Sequence, residues 1–159
     1  MRVFDVMSTP VHTVGAGQPA TVAWELMRLH RTRHLVVEDA EHHVVGVIAA
    51  SDLGGGKAGA ALRARATVGD LMTEKVIVVR PETTVREAAN LMRGHSINCL
   101  PVFDGRDKLK GIVTAVDLLE LLGRGAERPS PVGTRAVLRS RGTKPRQALP
   151  RKTAGRAAR

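Results

Sequence analysis

The sequence predicts an α/β (α+β) fold made of two β-α-β-β-α repeats followed by a basic tail. Three observations carry this reading. Sliding the chain by sixty-five residues aligns 5–53 with 70–118 without a gap, pairing Asp5 with Asp70, Met7 with Met72, Leu35 with Leu100, Gly46 with Gly111 and Asp52 with Asp117. Each copy places one helical apolar period between short β-branched runs. After residue 123 the apolar pattern stops, and 124–159 hold eleven Lys or Arg against the single acid Glu127, leaving fourteen residues of each sign in 1–123. A period this long, present twice, is a tandem pair rather than a solenoid.

The organisation that follows is a first repeat at 1–56, a flexible linker at 57–66, a second repeat at 67–123 and a tail at 124–159. Val3 to Met7 reads as a short helical turn and Val11 to Val14 as a short strand. Ala20, Ala23, Trp24 and Met27 recur at helical spacing, so 20–30 is an amphipathic helix. His34 to Glu38 and Val44 to Ala49, with the polar turn 39–43 between them, read as a hairpin. A short helix is expected from about Ala50, broken by Gly54-Gly55-Gly56, where the linker begins.

Thr67 to Met72 opens the second copy, and Val76 to Val79 is its first strand. Thr84 with Glu87 makes a capping box, ahead of the apolar face of Val85, Ala88, Ala89 and Met92. Leu100 to Phe103 and Leu109 to Thr114 form the second hairpin. Val116 to Leu122 is the last helix, with Gly123 as its cap. The tail, with four prolines and no sustained apolar period, is expected to be disordered.

Composition removes several function classes. The longest apolar runs fall well short of the ~18 residues a membrane helix requires. The first residues lack the apolar core of a secretory signal. One cysteine excludes an internal disulfide framework, so a cytoplasmic setting is expected. No nucleophile appears with a base and an orienting acid, and no Walker-type glycine loop or Cys/His cluster is present, so the chain reads as a non-enzyme. His30 and His34 are four apart, but the helix ends near His30, and no metal site is expected.

The stretch Gly111-Ile112-Val113-Thr114-Ala115-Val116-Asp117 is where chemistry concentrates. A hydroxyl at a strand end and a carboxylate in the next helical turn flank unpaired N–H groups that favour anions. Thr114 suits a phosphate and Asp117 a ribose diol, although a carboxylate there equally caps a helix. The first copy carries Gly46-Val47-Ile48-Ala49-Ala50-Ser51-Asp52, with Ala49 in place of the hydroxyl.

These motifs, the order strand–helix–strand–strand–helix repeated twice and the Asp-Val-Met and Asp-Leu-Met starts resemble the CBS domain pair, or Bateman module, over about 1–123. The resemblance implies two subdomains related by pseudo-twofold symmetry around a cleft that takes adenosine-containing ligands: AMP, ADP, ATP or S-adenosylmethionine. It implies that Thr114 contacts phosphate and Asp117 the ribose. Ile97, Asn98, Cys99, Leu100 and Pro101 would hold adenine, with Val76 and Ile77 as the other wall.

The first copy departs from the pattern at Ala49, at Val36 in the Pro101 position and at Arg33-His34 in place of Asn98-Cys99. Asp52 is therefore expected to mark a weaker second site. Arg31, Arg33, His34 and His95 are candidates to reach phosphates near the cleft centre. No cofactor is required, and a homodimer and an unidentified downstream protein are the expected partners. The competing readings are a ligand-free dimeric scaffold whose cleft is closed by side chains, and weak nucleic-acid or polyanion contact through 124–159.

Overall fold

The structure, a computed structural model, describes residues 1–123. The basic tail at 124–159 lies outside the described residues. A 3-10 turn at Val3–Asp5 leads into β1 (Thr13–Gly15), α1 (Ala20–His30) and the antiparallel hairpin β2 (His34–Glu38) with β3 (Val44–Ala49). The second repeat follows α2 (Gly56–Arg65) and comprises α3 (Val68–Leu71), α4 (Val85–His95), β4 (Cys99–Phe103), β5 (Leu109–Thr114) and α5 (Ala115–Gly123). β1 runs parallel to β2, giving a three-stranded sheet in the first repeat, while β4 and β5 form a two-stranded sheet in the second. The helix at 20–30 and both hairpins stand where the apolar periods put them.

Two matched apolar cores carry the pseudo-symmetry. The first joins Val14, Ala23, Met27, Leu35, Val37, Ile48 and Val68. The second joins Val79, Ala88, Met92, Leu100, Val102, Val113 and Val3. The leading valines are exchanged: Val3 opens the first repeat yet is buried in the second core, and Val68 opens the second repeat yet is buried in the first. Backbone bonds fix this exchange. Val3 N–H donates to the Thr83 carbonyl and Val68 N–H to the Gln18 carbonyl, each at 2.8 Å. Further along, Ser8 and Ile112 exchange bonds at 2.8 and 3.2 Å, as do Thr73 and Val47 at 2.9 and 3.1 Å.

The crossing segments pass so close to the hairpins that only glycine fits beneath them. A Cβ on Gly46 would meet the Met72 sulfur at 2.6 Å and the Thr73 carbonyl oxygen at 3.0 Å. On Gly111 it would meet the Met7 sulfur at 2.6 Å and the Ser8 carbonyl oxygen at 3.2 Å. The paired glycines of the repeat thus serve the interlock of the two halves. Val36 and Pro101, on the strand faces opposite the two cores, are also fully buried, so each hairpin is covered on both sides.

Three expectations are corrected. The segment 57–66 is not a flexible linker but chiefly the helix α2. Its alanines, Leu62, Lys57 and arginines are strong helix formers, and the neighbouring glycines obscured this. The helix expected from Ala50 is a turn, and helical structure begins only at Gly56, after Gly54 at φ 64°. The strand expected at 76–79 is reduced to one parallel bridge, Val79 with Val102.

Proline explains the lost strand. In the first repeat Val36 N–H donates to the His12 carbonyl at 3.2 Å. Pro101 occupies the matched position and has no N–H to offer Ile77, so that rung of the ladder is absent. The copies at 1–56 and 67–123 are units of sequence, and Val3 and Val68 are each buried in the core of the other copy.

Candidate functional site

A cavity of about 200 Å³ lies between the repeats. From the second repeat it is lined by Val76, Ile77, Ile97, Asn98 and Cys99, and from the first by Asp52, Ala49 and His34, with Ser51, Thr73 and Lys75 also in its wall. Absence of the Pro101 rung leaves Val76 and Ile77 outside the sheet, half-buried against this space. The interlock places Asp52 there, since Thr73 is bonded to Val47 on the first hairpin and draws the 74–77 segment over the end of β3.

The grouping expected from sequence is therefore corrected. The wall of Val76, Ile77 and Ile97–Cys99 is closed by Asp52 and not by Thr114 and Asp117. Asp117 instead lines a separate cavity of about 250 Å³ with Met1, Asp5, Val6, Met7, Glu120 and Leu121. Leu100 is fully buried in the second core and Pro101 is fully buried beside it, its carbonyl accepting Val79 N–H at 3.0 Å. Neither side chain lines the cavity. His34 does; Arg31 and Arg33 are not in its wall, and His95 belongs to a different depression.

The two acid motifs are built alike. Asp117 Oδ2 accepts the Thr114 backbone N–H and the Thr114 hydroxyl, each at 2.7 Å, and Thr114 Oγ1 accepts Asp117 N–H at 3.3 Å. Asp52 Oδ2 accepts Ala49 N–H at 2.8 Å. With no hydroxyl at position 49, that backbone bond is the one that orients Asp52, and the carboxylate remains at the cavity wall with a second oxygen for a ligand.

Electrostatics tie the two motifs to His34. Burial first, and the Arg33 guanidinium second, hold the His34 imidazole below its ordinary pKa of 6.5, while Asp52 and Asp117 both pull it the other way. Burial outweighs the carboxylates, so the ring is neutral at pH 7. Cys99, at the position matched to His34, has its thiol pushed up to about 11 by burial and by the Asp52 charge. It is a protonated, weakly polar wall and not a nucleophile.

Two other features lie away from this cavity. A depression of about 860 Å³ lies in the second repeat between α4 and Val78–Arg80. Two of its polar groups are engaged in local structure: Glu87 caps Thr84 at 2.8–2.9 Å and Arg80 donates to the Asp104 carbonyl at 3.0 Å.

Asp39, Glu41 and His43 bring three possible metal-ligand atoms within 4.8 Å at the β2–β3 turn. Asp39 there accepts the Glu41 and His43 backbone N–H groups, as Asp104 accepts those of Arg106 and Lys108 in the β4–β5 turn. The second turn has the same geometry with cations in place of ligands, so the arrangement is turn construction.

Among the described residues no helix is long and apolar enough to cross a membrane. Two interlocked α/β halves with a polar-edged cavity between them define a tandem-repeat α/β module, and comparison identifies the family. The CBS domain profile matches residues 3–53 and 68–124, and the chain belongs to that family as a CBS domain pair.

Among similar solved structures is the CBS domain pair of protein MJ0100, in complex with 5′-methylthioadenosine and S-adenosyl-L-methionine. It is 28% identical with a TM-score of 0.68, covering 77% of this chain and 96% of that one. CBSX2, from Arabidopsis thaliana, in complex with AMP is 30% identical with a TM-score of 0.61, covering 76% and 95%. A homoserine O-acetyltransferase of Methanosphaerula palustris is 29% identical over 123 residues; the match covers 77% of this chain but 24% of that protein. The chain thus spans about a quarter of the length of such relatives.

Proposed function

We propose that the chain is a non-catalytic, cytoplasmic regulatory module that senses an adenosine-containing small molecule in the cavity between its repeats. The observation that carries this reading is the meeting of Asp52 with Val76, Ile77, Ile97, Asn98 and Cys99. An apolar slot of this kind suits a purine, and a carboxylate at its edge suits a ribose diol. Ala49 offers no hydroxyl to a 5′ substituent, so Lys75 and Ser51 in the wall are the groups that meet it. Thr114 and Asp117 form the pseudo-symmetric counterpart motif for a second ligand. The complexes of MJ0100 with S-adenosylmethionine and methylthioadenosine, and of CBSX2 with AMP, support this ligand class.

Binding between two halves biases a partner-readable state only where that state and its alternative differ in affinity for the ligand. The expected sign of binding is a rise in melting temperature of the full chain with AMP, ADP, ATP or S-adenosylmethionine. Ligand at a hundredfold over Kd stabilises by about 2.7 kcal/mol. No shift with any of the four contradicts the reading.

A scaffold role is favoured by a separate observation. Val116, Leu119 and Leu122 form an exposed apolar strip on α5, Leu119 at 64% and Leu122 at 76% exposure. This strip supports a homodimer, with or without ligand. The cation-rich sequence of 124–159 supports polyanion binding, for which affinity falls steeply with salt; salt-independent binding to duplex DNA contradicts it.

A further inference from the structure

The two acid motifs differ in what holds them in place. Asp117 sits inside the first turn of α5, which begins directly after β5. Asp52 has no such helix: residues 50–53 form a turn, and the next helix starts at Gly56. What braces that turn is a residue from further along the chain. Arg63 on α2 is 8% exposed, the one charged side chain buried among the described residues. Its Nη1 donates to the Leu53 carbonyl at 2.8 Å and to the Gly54 carbonyl, and its guanidinium lies 4.0 Å from the centroid of the Trp24 ring on α1.

We infer that Arg63 is a positioning residue for Asp52: by tying the Leu53 and Gly54 carbonyls to α1 it sets the turn that presents the Asp52 carboxylate to the cavity. One Nη1 bridging two carbonyls while the guanidinium plane covers an aromatic face is geometry that lysine does not reproduce. Asp52 lies one residue before this brace and keeps its own bond to Ala49 N–H, so loosening the brace loosens that bond. The inference rests on the ligand reading for its effect on affinity, but not for its effect on the turn.

The test measures amide hydrogen exchange in the ligand-free full chain for Arg63→Lys and Arg63→Met, with Trp24→Leu as a variant that keeps the guanidinium. The Ala49 amide reports the Asp52 bond. The Thr114 amide, bonded to Asp117 in the other repeat, is the internal reference. Faster exchange at Ala49, by tenfold or more, with Thr114 unchanged is the expected result. Equal change at both amides, or none at Ala49, overturns the inference, since a merely structural loss moves both.

AMP affinity is then read alongside. Arg63→Met is expected to weaken AMP binding about tenfold in the native chain and not at all in Asp52→Ala, where the positioned group is gone. AMP binding that depends on Asp52 but ignores Arg63→Met overturns the inference. AMP binding by neither protein overturns the ligand reading, and the exchange rates at Ala49 and Thr114 then decide the role of Arg63 by themselves.

Discussion

At the scale of single residues, His34 is the group with the most to report. Its depressed pKa means that the unfolded chain binds a proton more readily than the folded one between the folded value and 6.5. The stability this contributes is fully present above pH 6.5 and is lost as pH falls towards the folded pKa. His34→Gln is therefore expected to flatten the dependence of melting temperature on pH between 7 and 5. Equal slopes for the two proteins contradict the assignment. His34 was legible as a cleft residue, because its matched partner is Cys99. The pairing of Asp52 with the 76–77 and 97–99 wall was not, since it depends on a crossover that a sequence offset does not encode.

At the scale of elements, the hairpins and the long helices of both repeats follow from apolar period, capping and turn chemistry. Thr84 and Glu87 form the box their spacing announced. Thr67 with Asp70 forms a second one, which the shorter acid at its third position disguised. The departures from expectation have local causes. Pro101 removes a donor and with it a strand, while glycines beside 57–65 concealed a helix rich in alanine and arginine.

Gly46 and Gly111 are the points where element meets element. Gly46→Ala forces a methyl against Met72 and the Thr73 carbonyl, with an expected cost of about 1–3 kcal/mol for overpacking, measured by denaturant unfolding. A cost near zero would show that the crossing segment yields freely.

At the scale of the whole molecule, the exchange of Val3 and Val68 makes the repeats one folding unit and puts the cavity at their junction. The same interlock joins β3 of one half to the 74–77 segment of the other, so the cavity draws its walls from both. On the proposed homodimer through the exposed α5 strip, Leu119→Glu is expected to shift the chain from dimer to monomer in light scattering, and a monomeric native chain contradicts that surface role.

Asp52, not Asp117, closes the cavity walled by Val76, Ile77 and Ile97–Cys99. The most direct measurement is calorimetric titration of the full chain with AMP and S-adenosylmethionine, beside Asp52→Ala and Asp117→Ala. Loss of a charged hydrogen-bond partner is worth about 1.5–3 kcal/mol. Saturable binding is expected that Asp52→Ala weakens by roughly tenfold to a hundredfold, while Asp117→Ala retains a site of native affinity. Binding that survives Asp52→Ala unchanged, or no heat from either ligand, would contradict that role of Asp52.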